Sequence, residues 1–325
     1  MGMLVDGRWT EEDEAKAKTD TSGRFNRAES VFRNWVSADG APGPSGDGGF
    51  AAAPGRYHLY IAVNCPWAHR TALMRKLKKL DDVISLDRVR PRRDDRGWIF
   101  DNDDASYRDT ELGKEALHEV YTAADPHVTG RVTVPVLWDR ERETIVNNES
   151  AEIIRMMNSS FAAFSNTDVD FYPEDLRDEI DRWNELTYNT LNNGVYRSGF
   201  ARSQEAYDEA VVQVFETLDK LEAHLADNRY LCGERFTEAD VRAFPTLIRF
   251  DVAYFGAFKC NLRRLLDYPN VWAYTREIYQ MPGVAETCDL DIFKRGYYSA
   301  SPQRNPLGIV PLGPIIDPME PHGRG

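Results

Sequence analysis

The feature that most constrains this chain is a change of rhythm near Pro173. Before it, strand-like and helix-like segments alternate; after it, only helical spacing is found. Residues 56–63, RYHLYIAV, alternate into an apolar run that predicts a strand. Residues 66–80 carry Trp67, Leu73, Met74, Leu77 and Leu80 at helical spacing. A second strand is expected at 83–89, an Arg- and Asp-rich polar loop at 90–112 and a short helix near 113–124. A hairpin of 132–139 with 144–148 and a helix at 149–158 complete this half. Beyond Pro173 the spacing predicts helices at 174–192, 203–226, 237–255 and 268–280, with a helical turn near 259–266. Thr237 and Asp240 mark a good helix start, and Pro245 predicts a kink. Alternating elements followed by a run of helices predict an α/β domain joined to an all-α domain. The expected division is an extended arm at 1–50, an α/β domain at 51–165, and a helical domain at 166–325 ending in an irregular Pro-rich tail. Gly and Pro crowd residues 38–50 of the arm, yet Phe32, Trp35 and Val36 beside them predict that it packs on a body.

Composition narrows the function. At 325 residues the chain is long enough for two domains with cores of their own. Net charge is 40 − 53 = −13, a field that repels phosphate backbones, so no nucleic-acid partner is expected. No apolar run approaches the roughly 18 residues of a membrane span, and MGMLVDGRWTEEDEAK does not read as a secretory leader. Neither membrane attachment nor export is expected. The cysteines, Cys65, Cys232, Cys260 and Cys288, lack zinc-ribbon spacing, and the six histidines show no metal pattern, so no metal is expected. Four cysteines are too few for a disulfide scaffold, which fits a reducing, cytoplasmic setting.

One cysteine stands apart. Asn64-Cys65-Pro66-Trp67-Ala68 joins the first strand to the first helix. Proline suits the first helical position, so Cys65 falls at the N-cap, facing free backbone N–H groups and the positive end of the helix dipole. Such a position favours the thiolate, which is the nucleophile. A dithiol oxidoreductase carries a second cysteine three residues on; here that position is Ala68. A mixed disulfide at Cys65 must then be cleared by an external thiol, as in a monothiol cycle. Pro135, within the apolar run 132–139, is expected at a sheet edge or in a cis peptide. Glu149 and Ser150 open the next helix, where N–H groups can hold an anion and Glu149 can pair with an ammonium group; simple capping is the competing reading. Five arginines between Arg88 and Arg96 read as a solvated face, and Trp98 beyond them as a cover for a ligand or as packing. Among fifteen tyrosines, Tyr196, Tyr254 and Tyr297 stand out weakly.

The element order is similar to that of the glutathione transferases, a thioredoxin-like domain followed by a helical one. Cys65-Pro66-Trp67-Ala68, the run Arg131 to Trp138, and the run Asn148 to Arg155 together resemble the glutathionyl-hydroquinone reductases, also called Xi-class glutathione transferases. FRNWVSADGAPGP, NNGVYRSGFA, TEADVR and YQMPG extend the likeness over essentially the whole chain. The resemblance implies reduction of glutathionyl-hydroquinones with glutathione as co-substrate. It implies that Cys65 is the nucleophile and that Trp98, Arg131, Val134, Glu149 and Ser150 bind glutathione. It assigns Tyr196, Tyr254 and Tyr297 to the aromatic substrate, and it implies a homodimer. Three other activities compete. A general thiol transferase of dehydroascorbate-reductase type would share the cysteine. A conjugating transferase would activate glutathione with Ser or Tyr, and a non-catalytic binding module would need no thiol.

Overall fold

In the computed structural model, residues 2–11, 19–301 and 304–324 are described, and they fall into two compact units. The first holds 28–170 with an N-terminal hairpin; the second holds 171–324 together with segment 19–27.

The hairpin pairs β1 (Gly2–Val5) with β2 (Arg8–Glu11) in antiparallel register. Asp6 and Gly7 make its two-residue turn with φ of 48° and 70°, the left-handed region that an Asp-Gly pair tolerates. Gly- and Pro-rich composition predicts an extended arm over 1–50, and the hairpin departs from it. Asp-Gly between Val5 and Arg8 is the local signal for this turn, flanked by strands only four residues long.

The core of the first unit is a four-stranded mixed sheet in the order β4-β3-β5-β6. Strand β3 (Tyr57–Ile61) is parallel to β4 (Ile84–Arg88) and antiparallel to β5 (Val136–Asp139), which pairs antiparallel with β6 (Thr144–Asn147). Every residue of β3 and β5 is buried, which is why the sequence shows apolar runs there. Helix α1 (Pro66–Leu77) packs against α3 (Ser150–Ser159), and α2 (Leu117–Ala124) against β6. Strand β5 begins at Val136, so Val134 and Pro135 lie in the approach to the strand and not inside it.

The arm covers an edge. Asn34 N–H donates to Val146 O at 2.9 Å and Asn148 N–H to Phe32 O at 3.2 Å, so residues 32–34 run along β6. An open strand edge is a template for unwanted pairing, and this segment occupies it. Val36 and Phe50 are buried, as the apolar residues of the arm led one to expect. The polar loop before α2 is also tied down. Asp87 accepts from Thr110 N–H at 2.6 Å and Oγ1 at 2.8 Å. Asp109 accepts from Tyr60 Oη at 3.0 Å and from the backbone of Glu111, Leu112 and Lys114.

The second unit is built from α4 (Arg177–Thr187), α5 (Gly194–Phe200), α6 (Gln204–Asp227), α7 (Glu238–Leu247), the single turn α8 (Phe255–Ala257), α9 (Pro269–Tyr279) and α10 (Leu290–Tyr297). The expected helix at 237–255 is interrupted. After Pro245, α7 ends at Leu247 and a π-helical turn, Phe250–Tyr254, follows. A second π turn, Tyr188–Asn192, separates α4 from α5, where one helix was expected over 174–192. The π geometry widens the turn and redirects the residues after it, which a constant helical period cannot anticipate. Helices α5 and α10 were not read from the sequence. The tail is irregular, and its end is tied by Arg324, whose Nε donates to Glu277 Oε2 at 3.0 Å.

Asp240 is the polar anchor of this unit. It is fully buried at the start of α7 and accepts from Thr237 N–H at 2.7 Å, Leu231 N–H at 3.0 Å and Tyr274 Oη at 2.7 Å. Asp240→Ala takes the acceptor from these buried donors and is expected to destabilise the fold by about 3 kcal/mol. A urea midpoint within experimental error of the parent would contradict this.

Candidate functional site

Cys65 is the N-cap of α1, with φ −82° and ψ 118°, and Pro66 opens the helix. The backbone turns from β3 into the helix here, with Cys65 N–H bonded to Ala62 O and Cys65 O accepting from His69 N–H, both at 2.9 Å. The first turn of α1 contains no acidic side chain to oppose a negative sulfur. Cys65 is half-buried, and none of the four cysteines is in a disulfide. The others are poor nucleophiles. Burial pushes the thiol of Cys232 up to about 11 and those of Cys260 and Cys288 up to about 12.

The segment before β5 comes back to this sulfur. The Val134–Pro135 peptide is cis, and Cys65 Sγ lies 3.7 Å from Val134 O. Residues 65 and 134 thus meet across 69 positions of chain. Tyr121 and Asn148 support the segment from behind. Tyr121 Oη donates to Thr133 O at 2.9 Å, and Asn148 Nδ2 donates to Tyr121 Oη at 2.9 Å and Thr133 Oγ1 at 3.3 Å. No local pattern in the sequence marks this pair, whose roles depend on contacts between distant segments. Arg131 is half-buried three residues before Val134. Trp98 is half-buried in the loop before α2, with the Arg93 guanidinium 4.9 Å from its ring.

Glu149 is the N-cap of α3 and Ser150 its first residue. Glu149 Oε1 accepts from Ala151 N–H at 3.1 Å, and Oε2 accepts from Ser30 Oγ at 3.2 Å. The capping role is therefore present. An ionised carboxylate has further acceptor capacity, so capping does not use up the group. Ser150 is buried, its Oγ 3.5 Å from Glu149 Oε1.

The three tyrosines converge in the second unit. Tyr196 comes from α5, Tyr254 from the π turn and Tyr297 from the end of α10. Tyr297 Oη is 2.6 Å from Tyr196 Oη and 3.1 Å from Tyr254 Oη. Burial pushes the phenols of Tyr254 and Tyr297 well above the ordinary tyrosine value, so both remain protonated donors at neutral pH. In each of these contacts either oxygen can be the donor. Phe200 and Phe258 flank Tyr196 at ring separations of 6.2 Å and 5.3 Å. Gly199 permits this packing: a Cβ there would come within 2.2 Å of the Phe258 ring. The two phenylalanines were not singled out from the sequence, where nothing distinguishes them from other core aromatics. The thiol group belongs to the first unit and the phenols to the second.

Comparison with known proteins agrees with this layout. Residues 64–160 match the glutathione S-transferase N-terminal domain, and residues 204–277 match the glutathione S-transferase C-terminal domain. The chain is 51% identical over 325 residues to the glutathionyl-hydroquinone reductase YqjG of Escherichia coli, covering 100% of this chain and 98% of that one. It is 49% identical over 314 residues to the glutathionyl-hydroquinone reductase PcpF of Sphingobium chlorophenolicum, covering 97% and 96%. The glutathione-bound structure of YqjG superposes with a TM-score of 0.90, covering 99% of this chain and 98% of that one at 49% identity. With its cysteine at the head of α1 and its sheet followed by helices, the chain belongs to the glutathione S-transferases, in the family of the glutathionyl-hydroquinone reductases.

Proposed function

We propose that this chain reduces glutathionyl-hydroquinones to hydroquinones at the expense of glutathione. The observation that carries the reading is Cys65 at the head of α1, with Ala68 where a resolving cysteine would stand. The Cys65 thiolate attacks the sulfur of the conjugate. An S–S bond forms and the aryl C–S bond breaks; its electron pair stays on the ring, which takes up a proton and leaves as hydroquinone. Free glutathione then attacks the glutathione sulfur of the mixed disulfide, releasing glutathione disulfide and restoring the Cys65 thiolate. The net reaction consumes one conjugate and one glutathione and yields one hydroquinone and one glutathione disulfide.

Within this cycle, Trp98, Arg131, Val134, Glu149 and Ser150 are assigned to glutathione. Val134 offers its backbone beside the sulfur, as the 3.7 Å contact of its carbonyl with Sγ supports. Glu149 and Ser150 suit the amino and carboxylate groups of a γ-glutamyl moiety, because a helix start supplies N–H donors and Glu149 a negative charge. Tyr196, Tyr254 and Tyr297 are assigned to the aromatic part, as hydrogen-bond donors to its oxygens or to the carbon that takes the proton. The proposal includes a homodimer in the reducing cytoplasm. Four cysteines without a disulfide support the compartment, and an apolar tail with Leu312 95% and Ile315 96% exposed supports burial against a second copy.

The test is to supply a glutathionyl-hydroquinone and glutathione and to quantify products. Hydroquinone and glutathione disulfide should appear in equal amounts. Glutathione adducts of added electrophiles, with no hydroquinone released, would replace this reading with a conjugating transferase. Ser150→Ala should raise the glutathione concentration needed for half-maximal recycling about tenfold, as expected for loss of one hydrogen bond to a charged group. Unchanged recycling would remove Ser150 from the glutathione site.

A further inference from the structure

Segment 19–27 groups with the helices, and it brings a cation to the tyrosine trio. The Arg27 guanidinium lies 5.0 Å from the centroid of the Tyr196 ring and 5.3 Å from that of Phe25. Its Nε donates to Asn193 Oδ1 at 2.9 Å. Asn193 is the N-cap of α5, three residues before Tyr196, so one helix turn fixes both the guanidinium and the phenol. Phe25 stacks on Phe200 at 5.5 Å, and Phe200 lies parallel to Tyr196 at 6.2 Å. The segment itself is folded. Asp20 Oδ1 accepts from Ser22 N–H and Arg24 N–H at 2.9 Å each, and Arg24 Nε meets Glu209 Oε2 at 3.0 Å.

A guanidinium over a ring face is attracted by the ring quadrupole and draws electron density from the phenol oxygen. A phenol treated in this way is the better donor of a pair. Its partner here is Tyr297 Oη, 2.6 Å away. Tyr254, fully buried, approaches the same oxygen at 3.1 Å. Either oxygen of each pair can donate; where Tyr196 and Tyr254 are both donors, Tyr297 accepts twice and its own proton is left for a partner outside the trio.

We propose that Arg27 is a positioning residue for the reductase reaction: acting through Tyr196, it fixes that phenol as the donor to Tyr297 and so commits the Tyr297 O–H to the aromatic part of the substrate. The proposal rests on the assignment of the tyrosines to the aromatic part.

The test uses the full-length protein, a glutathionyl-hydroquinone and single-turnover measurement of hydroquinone release, with glutathione-dependent recycling measured separately. Arg27→Gln should slow release about tenfold, the size of one well-placed cation–π contact. Arg27→Lys keeps a cation over the ring and should recover most of the rate. In a Tyr196→Phe background, Arg27→Gln should cost less than about twofold, because the hydroxyl it acts through is gone. Recycling should stay at the parental rate in every variant. Release by Arg27→Gln at the parental rate, failure of lysine to improve on glutamine, an equal loss in both backgrounds, or a matching loss in recycling would each overturn the proposal. Tyr297→Phe separates the two levels. If it releases product normally, the tyrosine assignment itself fails; if it is slow while Arg27→Gln is not, only the role of Arg27 fails.

Discussion

Cys65→Ser is expected to lower turnover of glutathionyl-hydroquinone at least about 10³-fold, because a serine hydroxyl cannot form the mixed disulfide on which the cycle depends. The corresponding changes at Cys232, Cys260 and Cys288 should leave turnover within about twofold of the parent. The contrast has a structural cause. Cys65 sits where a strand hands over to a helix, at the N-cap of α1, with no carboxylate in the first turn. The other three thiols are held protonated by burial, at about 11 for Cys232 and about 12 for Cys260 and Cys288. Iodoacetamide at neutral pH should therefore label Cys65 first, and a peptide map will show it. Steady-state turnover by Cys65→Ser at a tenth of the parental rate or more would rule out the covalent cycle.

The second large effect is expected at Tyr297. Its hydroxyl meets both others, at 2.6 Å to Tyr196 and 3.1 Å to Tyr254. Tyr297→Phe removes the shared acceptor as well as the outward donor and should slow hydroquinone release about 10²-fold, the lower range for a lost general acid. Tyr196→Phe and Tyr254→Phe remove one donor each and should slow release about tenfold. None should alter glutathione attack on the Cys65 disulfide, because the aromatic part of the substrate has left before that step. Rapid-mixing measurement of the two half-reactions distinguishes these roles. If release is normal in all three variants, the trio is packing and the aromatic site lies elsewhere.

What could be read from the sequence follows the range of the physics involved. Cys65 at an N-cap with Pro66 behind it is a local arrangement, decided by neighbouring residues and legible as such. The same holds for Glu149 at the head of α3, and for the start of α7 at Thr237 and Asp240. Apolar runs placed β3 and β5 because both strands are buried throughout. The π turns at Tyr188–Asn192 and Phe250–Tyr254 were not legible, since they depend on tertiary packing that overrides a constant period. The meeting of Tyr196 with Tyr297 spans 101 residues, and no local pattern encodes it. The arm shows the limit most clearly. Residues 32–34 pair with β6 while Arg27 lies over Tyr196, and the Gly- and Pro-rich composition nearby gives no hint that the two ends serve different units.

The central claim is that reduction passes through a disulfide between Cys65 and the glutathione half of the substrate. Mixing the protein with a glutathionyl-hydroquinone in the absence of free glutathione isolates that step, and intact-protein mass spectrometry with peptide mapping reads its product. The account predicts one glutathione per chain, carried by the Cys65 peptide, with one hydroquinone released for each adduct and loss of the adduct when glutathione is added. Release of hydroquinone without any adduct, or an adduct that retains the aromatic ring, would contradict it.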